Sequence, residues 1–440
     1  MKTLLLSQLL SERRQDRDPV ARRGGEAISY ARFAAEAAGL AAEAQASGWR
    51  RAALLAQDSY RFALGLFGLM HGGCEVVLPP NHQPGTIEAM RGGFDLVVDD
   101  ARLSEVRPRE DRLDPLDAEN CALAFFTSGS TGMPKRILKS LAMFEREAQT
   151  LNALWGGEDG GEVFATVPHQ HVYGLSFKIM APLAAGRPFH AETPEVWETL
   201  LAGLTSNAVI VSSPAHLGRM AGLSALPADR RPSRVFSAGA PLSTEAAHEA
   251  RRVLGVLPTE IFGSTETGAI ATRQQESGEA PWRLLPGLGM RTDRNGRLSL
   301  LTPFVGDEWI ETADLVAPVG DGFRLLGRAD RVVKIEGRRV DLNAMEEALV
   351  KLPEVAAAVV IWLPGEDGRL GAAIVPSAEG RAQMARLGKF RFGRLLRAGL
   401  ADKLEPASAP RLWRFVEALP SAELGKRRDR DILELFTDAQ

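Results

Sequence analysis

The stretch TSGSTGMPK, Thr127 to Lys135, decides how the rest of the chain is read. It follows a short apolar run, Ala122 to Phe126, of the length a buried strand uses, and it precedes a segment of helical character. From Thr127 the next six residues are only Gly, Ser or Thr, so the chain leaves the core there. Gly129 and Gly132 allow backbone angles at which several N–H groups converge. Thr127, Ser128, Ser130 and Thr131 add hydroxyl donors, and Lys135 adds a point charge. That is the chemistry of a phosphate cradle; a flexible surface turn is the alternative, because Gly and Ser mark loops generally. An ordinary P-loop is excluded. The pattern G-x-x-x-x-G-K-[ST] fails because Pro134 stands five residues after Gly129 and Arg136 follows Lys135.

Upstream of that stretch the sequence alternates. Tyr30 to Ala46 is alanine-rich, of strong helix propensity, and stops at Gly48. Ala52 to Ala56 is a short apolar run, Ser59 to Met70 reads as a helix, and Cys74 to Leu78 is a second run ended by Pro79 and Pro80. With Thr86 to Arg91 and Phe94 to Val98 continuing the alternation, the first third predicts a mostly parallel, doubly wound sheet.

Downstream, Leu141, Phe144, Ala148, Leu151 and Trp155 fall at helical spacing just past a candidate cap at Ser140. Val163 to Val167 is a strand that runs into PHQHVYGL, Pro168 to Leu175. His169 and His171 have no third ligand at a metal-binding spacing, so a pocket wall is expected, with His171 and Tyr173 as the polar edge of an apolar site. Ala208 to Val211 opens into SSPAHL, and Val235 to Phe236 opens into SAGAPLS, Ser237 to Ser243. Strand ends of this kind are where open α/β sheets bind ligands, although small residues also simply make tight turns. In EIFGSTETGAI, Glu260 to Ile270, Thr265 and Glu266 follow a Gly263-Ser264 bend. Glu266 suits Mg²⁺, which takes one or two carboxylates plus phosphate oxygens; a solvated loop glutamate is the alternative.

Further on, WIETADL, Trp309 to Leu315, puts Thr312 and Asp314 on one side of an extended chain, where Asp314 can accept two hydrogen bonds from a ribose diol. GRADRVVKIEGRRVDL, Gly327 to Leu342, opens what reads as a small α+β domain with a basic helix from Phe390 and a C-terminal ELGKRRDRDI, Glu423 to Ile432.

Bulk properties bound the rest. At 440 residues the chain predicts two or more domains. Lys and Arg number 53 against 56 Asp and Glu, a formal net charge of −3, and no long basic block marks a nucleic-acid footprint. No DNA or RNA partner is expected. Cys74 and Cys121 sit apart beside apolar residues, which suits reduced, buried thiols and a cytoplasmic protein. The N-terminal MKTLLLSQLLSERR lacks a small-residue cleavage site and predicts an ordinary helix, and no run approaches the ~18 apolar residues of a membrane span.

Taken together, TSGSTGMPK, SAGAPL, FGSTETG, WIETADL, GRADRVVKIEGRRV and LGKRRDR, in that order, resemble the adenylate-forming superfamily of acyl-CoA synthetases, aryl acid ligases and nonribosomal-peptide adenylation domains. The resemblance runs from about residue 20 to 432. It implies an α/β fold with a large N-terminal domain of mixed or parallel sheets and helices, residues 1–328. A small mobile α+β lid would follow, residues 329–440, hinged near Asp330. It implies a ligase in which a carboxylate attacks the α-phosphate of ATP, after which a thiol of CoA or of a carrier-protein phosphopantetheine displaces AMP.

The resemblance also assigns roles. Thr127, Ser128, Gly129, Ser130, Thr131, Gly132 and Lys135 match the cradle for the β,γ-phosphates. Thr265 and Glu266 match the positions contacting the α-phosphate and Mg²⁺. Gly239, Ala240, Pro241 and Phe262, with Gly263 and Ser264, border adenine; Asp314 matches the ribose acceptor and Arg328 a ribose or phosphate contact. Lys426 matches the lid lysine that bridges carboxylate and α-phosphate. Three features depart from the pattern: Ala313 replaces a usual Gly, Phe262 replaces a common Tyr, and the chain is short for the family. The helix bearing Lys389, Arg391, Arg394 and Arg397 offers a dock for an acidic carrier protein or for CoA phosphates, with a solvated face as the alternative. A catalytically inactive sensor or scaffold of the same fold is the competing expectation. Retention of Glu266 and Lys426 argues against it. The length is also similar to that of ligases of bacterial aryl-polyene pathways.

Overall fold

The computed structural model describes residues 3–11, 15–127, 135–156, 161–276, 280–335, 338–363, 369–400, 409–420 and 429–437. The chain forms two compact units. One comprises Met1–Gly129, Met133–Gly289 and Leu301–Ile310; the other is built mainly from Met290–Leu300 and Glu311–Gln440.

In the first unit a five-stranded sheet has the order Leu96–Val98, Arg51–Leu54, Glu75–Leu78, Ala122–Thr127, Lys135–Ser140. The first four strands are parallel and the last is antiparallel. The parallel part is what short apolar runs separated by helices require. Helix Tyr30–Ser47 starts where the Ser29 side chain accepts from the Arg32 N–H and stops at Gly48, whose φ is 66°. Helix Ser59–His71 is capped in the same way by Asp58. Small residues let these two helices lie close: a Cβ on Gly68 would come within 2.8 Å of Leu40.

A second sheet in this unit runs Val163–Ala165, Val209–Ser212, Arg234–Ser237 and Thr259–Ser264 in parallel, then Gly268–Arg273 and Trp282–Leu284 antiparallel. All four residues of Val209–Ser212 are buried, as expected of a strand covered on both faces. Ile210 and Val235 pack with Ala247, Ala250 and Val253 of helix Thr244–Leu254 in one apolar cluster.

The second unit contains the strands Arg297–Leu301, Ile310–Val319 and Gly322–Arg328. It also contains a three-stranded sheet of Val355–Leu363, Arg369–Pro376 and Leu412–Phe415. Helices Leu342–Val350 and Lys389–Gly399 cover one face through Met345, Leu349, Phe392 and Leu396. Helix Asp429–Thr437 covers Val359 and Ile361 with Ile432, which is fully buried.

Three local differences from the sequence reading have physical causes. The N-terminal segment is not an ordinary helix but a single 3₁₀ turn, Leu6–Gln8, because Leu6, Leu9 and Leu10 anchor it directly in the core. Lys135 opens an antiparallel strand, not a helix, and the helix begins only at Leu141, after its cap Ser140. Helix Ala378–Leu387 was not foreseen, since AEGRAQMARL carries little apolar periodicity. Among the described residues no helix is long and apolar enough to cross a membrane.

Candidate active site

Thr127 and Lys135 are paired in register across the two antiparallel strands that flank the glycine- and hydroxyl-rich stretch in sequence. Thr127 ends one strand, and Lys135 begins the other with an exposed side chain. Ser128, Gly129, Ser130, Thr131, Gly132 and Lys426 lie outside the described residues.

The residues Thr265 and Glu266 occupy the tip of a hairpin, in which Gly263 opposes Ala269 and Ser264 opposes Gly268. The neck is tight. A Cβ on Gly263 would stand 2.1 Å from the Gly268 carbonyl oxygen, and Gly268 itself has φ +73°. Across the neck the Ser264 N–H donates to Thr267 Oγ1 at 3.1 Å and the Thr267 N–H donates to Ser264 Oγ at 3.2 Å. These reciprocal bonds close the tip and leave the Thr265 and Glu266 side chains half-buried at its rim.

Two buried charged residues reach this turn from behind. Lys139 lies four positions past Lys135 on the strand Lys135–Ser140, and its Nζ sits 3.5 Å from the Glu266 carbonyl oxygen. Burial holds its ammonium below the usual lysine range, an effect opposed by the Glu147 and Glu266 carboxylates. Glu147, on helix Leu141–Trp155, accepts from the Ala269 N–H at 2.8 Å and from the Ser176 hydroxyl at 2.6 Å.

The loop Gly239–Pro241 follows the neighbouring parallel strand, with Gly239 at φ 99°. It is tied down by Glu260, whose carboxylate accepts from the Leu242 N–H at 3.1 Å and pairs with both Arg273 nitrogens at 2.7 and 3.1 Å. The Arg273 guanidinium lies 4.4 Å from the centroid of the Trp282 ring, which in turn contacts Phe262 at 5.3 Å. Phe262 is therefore contacted by a ring that itself carries a cation. The Trp282 Nε1 is buried and without a hydrogen-bond partner.

At the carboxyl ends of the parallel strands stands a row of hydroxyls. Thr166 Oγ1 and Ser212 Oγ are 2.9 Å apart, and Ser212 is in register with Ser237. The Ser237 hydroxyl is buried with no hydrogen-bond partner among the described residues, and the fully buried Tyr173 phenol has the Ser212 backbone as its polar neighbour. Below them, Tyr173 contacts Phe177 at 5.1 Å, Phe177 contacts Phe236 at 5.1 Å, and Phe236 contacts Trp155 at 4.8 Å. These rings fill the space between sheet and helices and leave a cleft of about 40 Å³, which opens at the starts of the strands, beside Val163 and Val209.

His171 precedes the turn Val172–Gly174 and is half-buried. Its neighbour His169 is the structural one: Nδ1 meets Ser59 Oγ at 2.9 Å and Nε2 meets the Ala56 carbonyl at 2.8 Å. Burial, with the Lys178 charge, lowers its pKa to about 3, so it stays neutral.

In the second unit Asp314 and Arg328 are directly opposed in register, with 3.4 Å between Oδ1 and Nη1. The Asp314 N–H donates to Thr312 Oγ1, which donates to the Leu298 carbonyl. Ala313 lies within the strand Ile310–Val319 without a positive φ, so replacing the usual glycine imposes no strain.

A metal at this site would depend on Glu266. Among the described residues no group of three or more His, Cys, Asp or Glu side chains could enclose an ion. A single carboxylate beside a hydroxyl fits Mg²⁺, which keeps its waters and takes the remaining ligands from phosphate. The supporting residues Lys139, Glu147, Glu260, Arg273 and Trp282 escaped the sequence reading. The one local signal is a charge beside apolar strand residues, as at Glu260 in TEIF.

The chain is similar to known proteins in both sequence and fold. Residues 91–296 match the family model of the AMP-binding enzymes. The chain is 29% identical to a 4-coumarate–CoA ligase of Rhodobacter capsulatus, over 71% of this chain and 77% of that one. It is 27% identical to a 3-hydroxybenzoate/4-hydroxybenzoate–CoA ligase of Thauera aromatica, over 72% and 67%. In fold it is similar to o-succinylbenzoate CoA synthetase of Bacillus subtilis solved with its acyl-adenylate intermediate, with a TM-score of 0.79, 17% identity and coverage of 100% and 98%.

Proposed function

We propose that this chain, a member of the adenylate-forming superfamily through its AMP-binding core at residues 91–296, is an ATP-dependent ligase that joins a short aromatic carboxylic acid to a thiol. The observation that carries this reading is the contact from Lys139 to the Glu266 carbonyl. It ties the strand that leaves the phosphate loop to the turn bearing Thr265 and Glu266, so that two loops of separate sheets serve one triphosphate.

In the first half-reaction a carboxylate oxygen bonds to the α-phosphorus of ATP and the bond to the β,γ-pyrophosphate breaks. Negative charge accumulates on the phosphoryl oxygens, so positioned donors and cations do most of the work. Residues 127–132 and Lys135 hold the leaving pyrophosphate, and the Thr265 hydroxyl donates to an α-phosphate oxygen. Glu266 would hold Mg²⁺, which would supply charge neutralisation for the phosphates. Phe262 and Gly239–Pro241 flank adenine, Asp314 accepts from the ribose diol, and Arg328 steadies Asp314 or a phosphate. Residues 329–440 act as a lid pivoting at Asp330 that delivers Lys426 to the carboxylate and α-phosphate. In the second half a thiolate displaces AMP from the acyl carbon.

The acid is read from the strand-end hydroxyls and the rings beneath them. Tyr173, Phe177, Phe236 and Trp155 stack in a continuous row of rings, which suits a short aromatic acid better than a long chain. The buried Ser237 hydroxyl, without a partner among the described residues, and the Tyr173 phenol call for a polar ring substituent, with His171 at the edge. ATP–pyrophosphate exchange with hydroxylated and unsubstituted benzoates and cinnamates, and with alkanoates of matching size, tests this. A hydroxylated acid should exceed its unsubstituted analogue by roughly 10²-fold or more, and Tyr173→Phe should erase most of that margin. Equal exchange with octanoate rejects the aryl assignment; exchange with no acid rejects the ligase.

CoA or a carrier-protein phosphopantetheine supplies the thiol. Helix Lys389–Gly399 exposes Lys389, Phe390, Arg391 and Arg394, a basic face with an aromatic centre suited to an acidic carrier. Charge reversal at Arg391 and Arg394 should slow transfer to carrier protein and leave pyrophosphate exchange intact.

A further inference from the structure

We propose that Lys139 and Glu147 are positioning residues that clamp the Thr265–Glu266 turn at its two ends and thereby set the rate of adenylation. The inference rests on the ligase reading above but concerns residues to which that reading gives no chemical part.

Both side chains are almost fully buried, Lys139 at 3% exposure and Glu147 at 2%. Burying charge is unfavourable, and well-packed apolar replacements of buried ion pairs are often no less stable, so stability alone is a weak reason for keeping them. Their polar contacts point to another reason. Lys139 Nζ faces the Glu266 carbonyl, and Glu147 Oε1 accepts the Ala269 N–H. With the Ser264–Thr267 pair between these points, the segment from 264 to 269 is held at three places and only Thr265 and the Glu266 side chain are left to act.

The clamp also has a floor. Glu147 Oε1 would stand 3.0 Å from a Cβ on Gly268, so the carboxylate lies against bare backbone. Its other oxygen takes the Ser176 hydroxyl, from the segment that follows His171 and Tyr173. Glu147 thus joins the helix after the strand Lys135–Ser140, the catalytic turn and the wall of the acid pocket. Lys139 contributes that strand itself, with its ammonium 5.9 Å from the centroid of the Phe144 ring.

Such a clamp acts on geometry in the transition state more than on ground-state binding, so its loss should appear in kcat. The test uses full-length Lys139→Met, Glu147→Ala and Glu147→Gln with two readouts. In pyrophosphate exchange with the best aryl acid, Lys139→Met and Glu147→Ala should lose about tenfold or more in kcat while the KM for the acid stays within about twofold. Glu147→Gln should recover most of the rate, because its amide oxygen can still accept from Ala269. Thioester formation from preformed acyl adenylate should hold near the wild-type rate. In nucleotide-free, metal-free protein, hydrogen exchange of the Ala269 amide should accelerate in Glu147→Ala and revert in Glu147→Gln. Unchanged kcat in Lys139→Met and Glu147→Ala, an Ala269 amide indifferent to Glu147→Ala, or equal losses in KM and both half-reactions would overturn the clamp. If the wild type shows no acid-dependent exchange, the ligase reading fails instead, and the Ala269 amide still decides whether the turn is clamped.

Discussion

The Thr265–Glu266 turn and the Asp314–Arg328 pair each carry a carboxylate that we propose serves the nucleotide, yet they are supported in opposite ways. The turn rests on buried partners: Lys139, Glu147, the Ser264–Thr267 bonds, and nearby the Glu260–Arg273 pair that fixes the neighbouring loop. Asp314 faces a guanidinium whose side chain is 49% exposed, across 3.4 Å, in a strand pair of the second unit. Charges near transferring phosphorus need fixed positions, because reorganisation at the moment of reaction would forfeit their effect. A ribose contact is present in ground and transition states alike and tolerates looser support.

Breaking the buried side should have the larger consequences. Arg273→Ala leaves Glu260, at 3% side-chain exposure, as an unpaired buried charge, and urea unfolding should show a loss of about 3–5 kcal/mol. Glu266→Ala keeps the fold and removes the carboxylate itself. Pyrophosphate exchange should fall ~10²-fold or more, with an unchanged unfolding midpoint separating it from Arg273→Ala. A loss of similar size is expected for Lys426→Ala, restricted to adenylation.

Acid should loosen the first unit through His169. Its imidazole takes a proton near pH 6.5 in the unfolded chain and only near about 3 when folded. Between those values the unfolded state binds the extra proton, so stability falls as pH is lowered, by about 1.4 kcal/mol per pH unit for one such group. His169→Gln should flatten that slope by one proton in unfolding measured from pH 6 to pH 4. The smallest effect belongs to the exposed side of the comparison. Arg328→Ala should raise the KM for ATP only severalfold, on the scale of a surface pair. A loss as large as that of Glu266→Ala would show that Arg328 acts on phosphate and not through Asp314.

The legible part of the site was the part made of unusual local chemistry. A run of Gly, Ser and Thr after an apolar strand, a hydroxyl beside a carboxylate after a glycine bend, and an acid two residues from a threonine each announce themselves within ten residues. So did the alternation of the first sheet, whose helices and strands match the periodicity closely from Tyr30 to Val98. What was hidden depends on contacts between distant positions. Glu147 meets Ala269 across 122 residues and His169 meets Ala56 across 113, and neither spacing leaves a local pattern. His169 and His171 look equivalent in PHQHVYGL; only the fold makes one a neutral strut and the other a rim residue.

The glycine neck beneath Glu266 has a consequence for how this enzyme can change. With Gly263 barred from any side chain by the Gly268 carbonyl, and Gly268 confined to a left-handed backbone, the two positions have only one residue available to them. Thr265 and Glu266, at the rim, have many. Selection in the laboratory for altered chemistry therefore has two adjacent productive codons here flanked by two forbidden ones, and libraries that randomise the whole hairpin will spend most of their members on sequences that cannot close it.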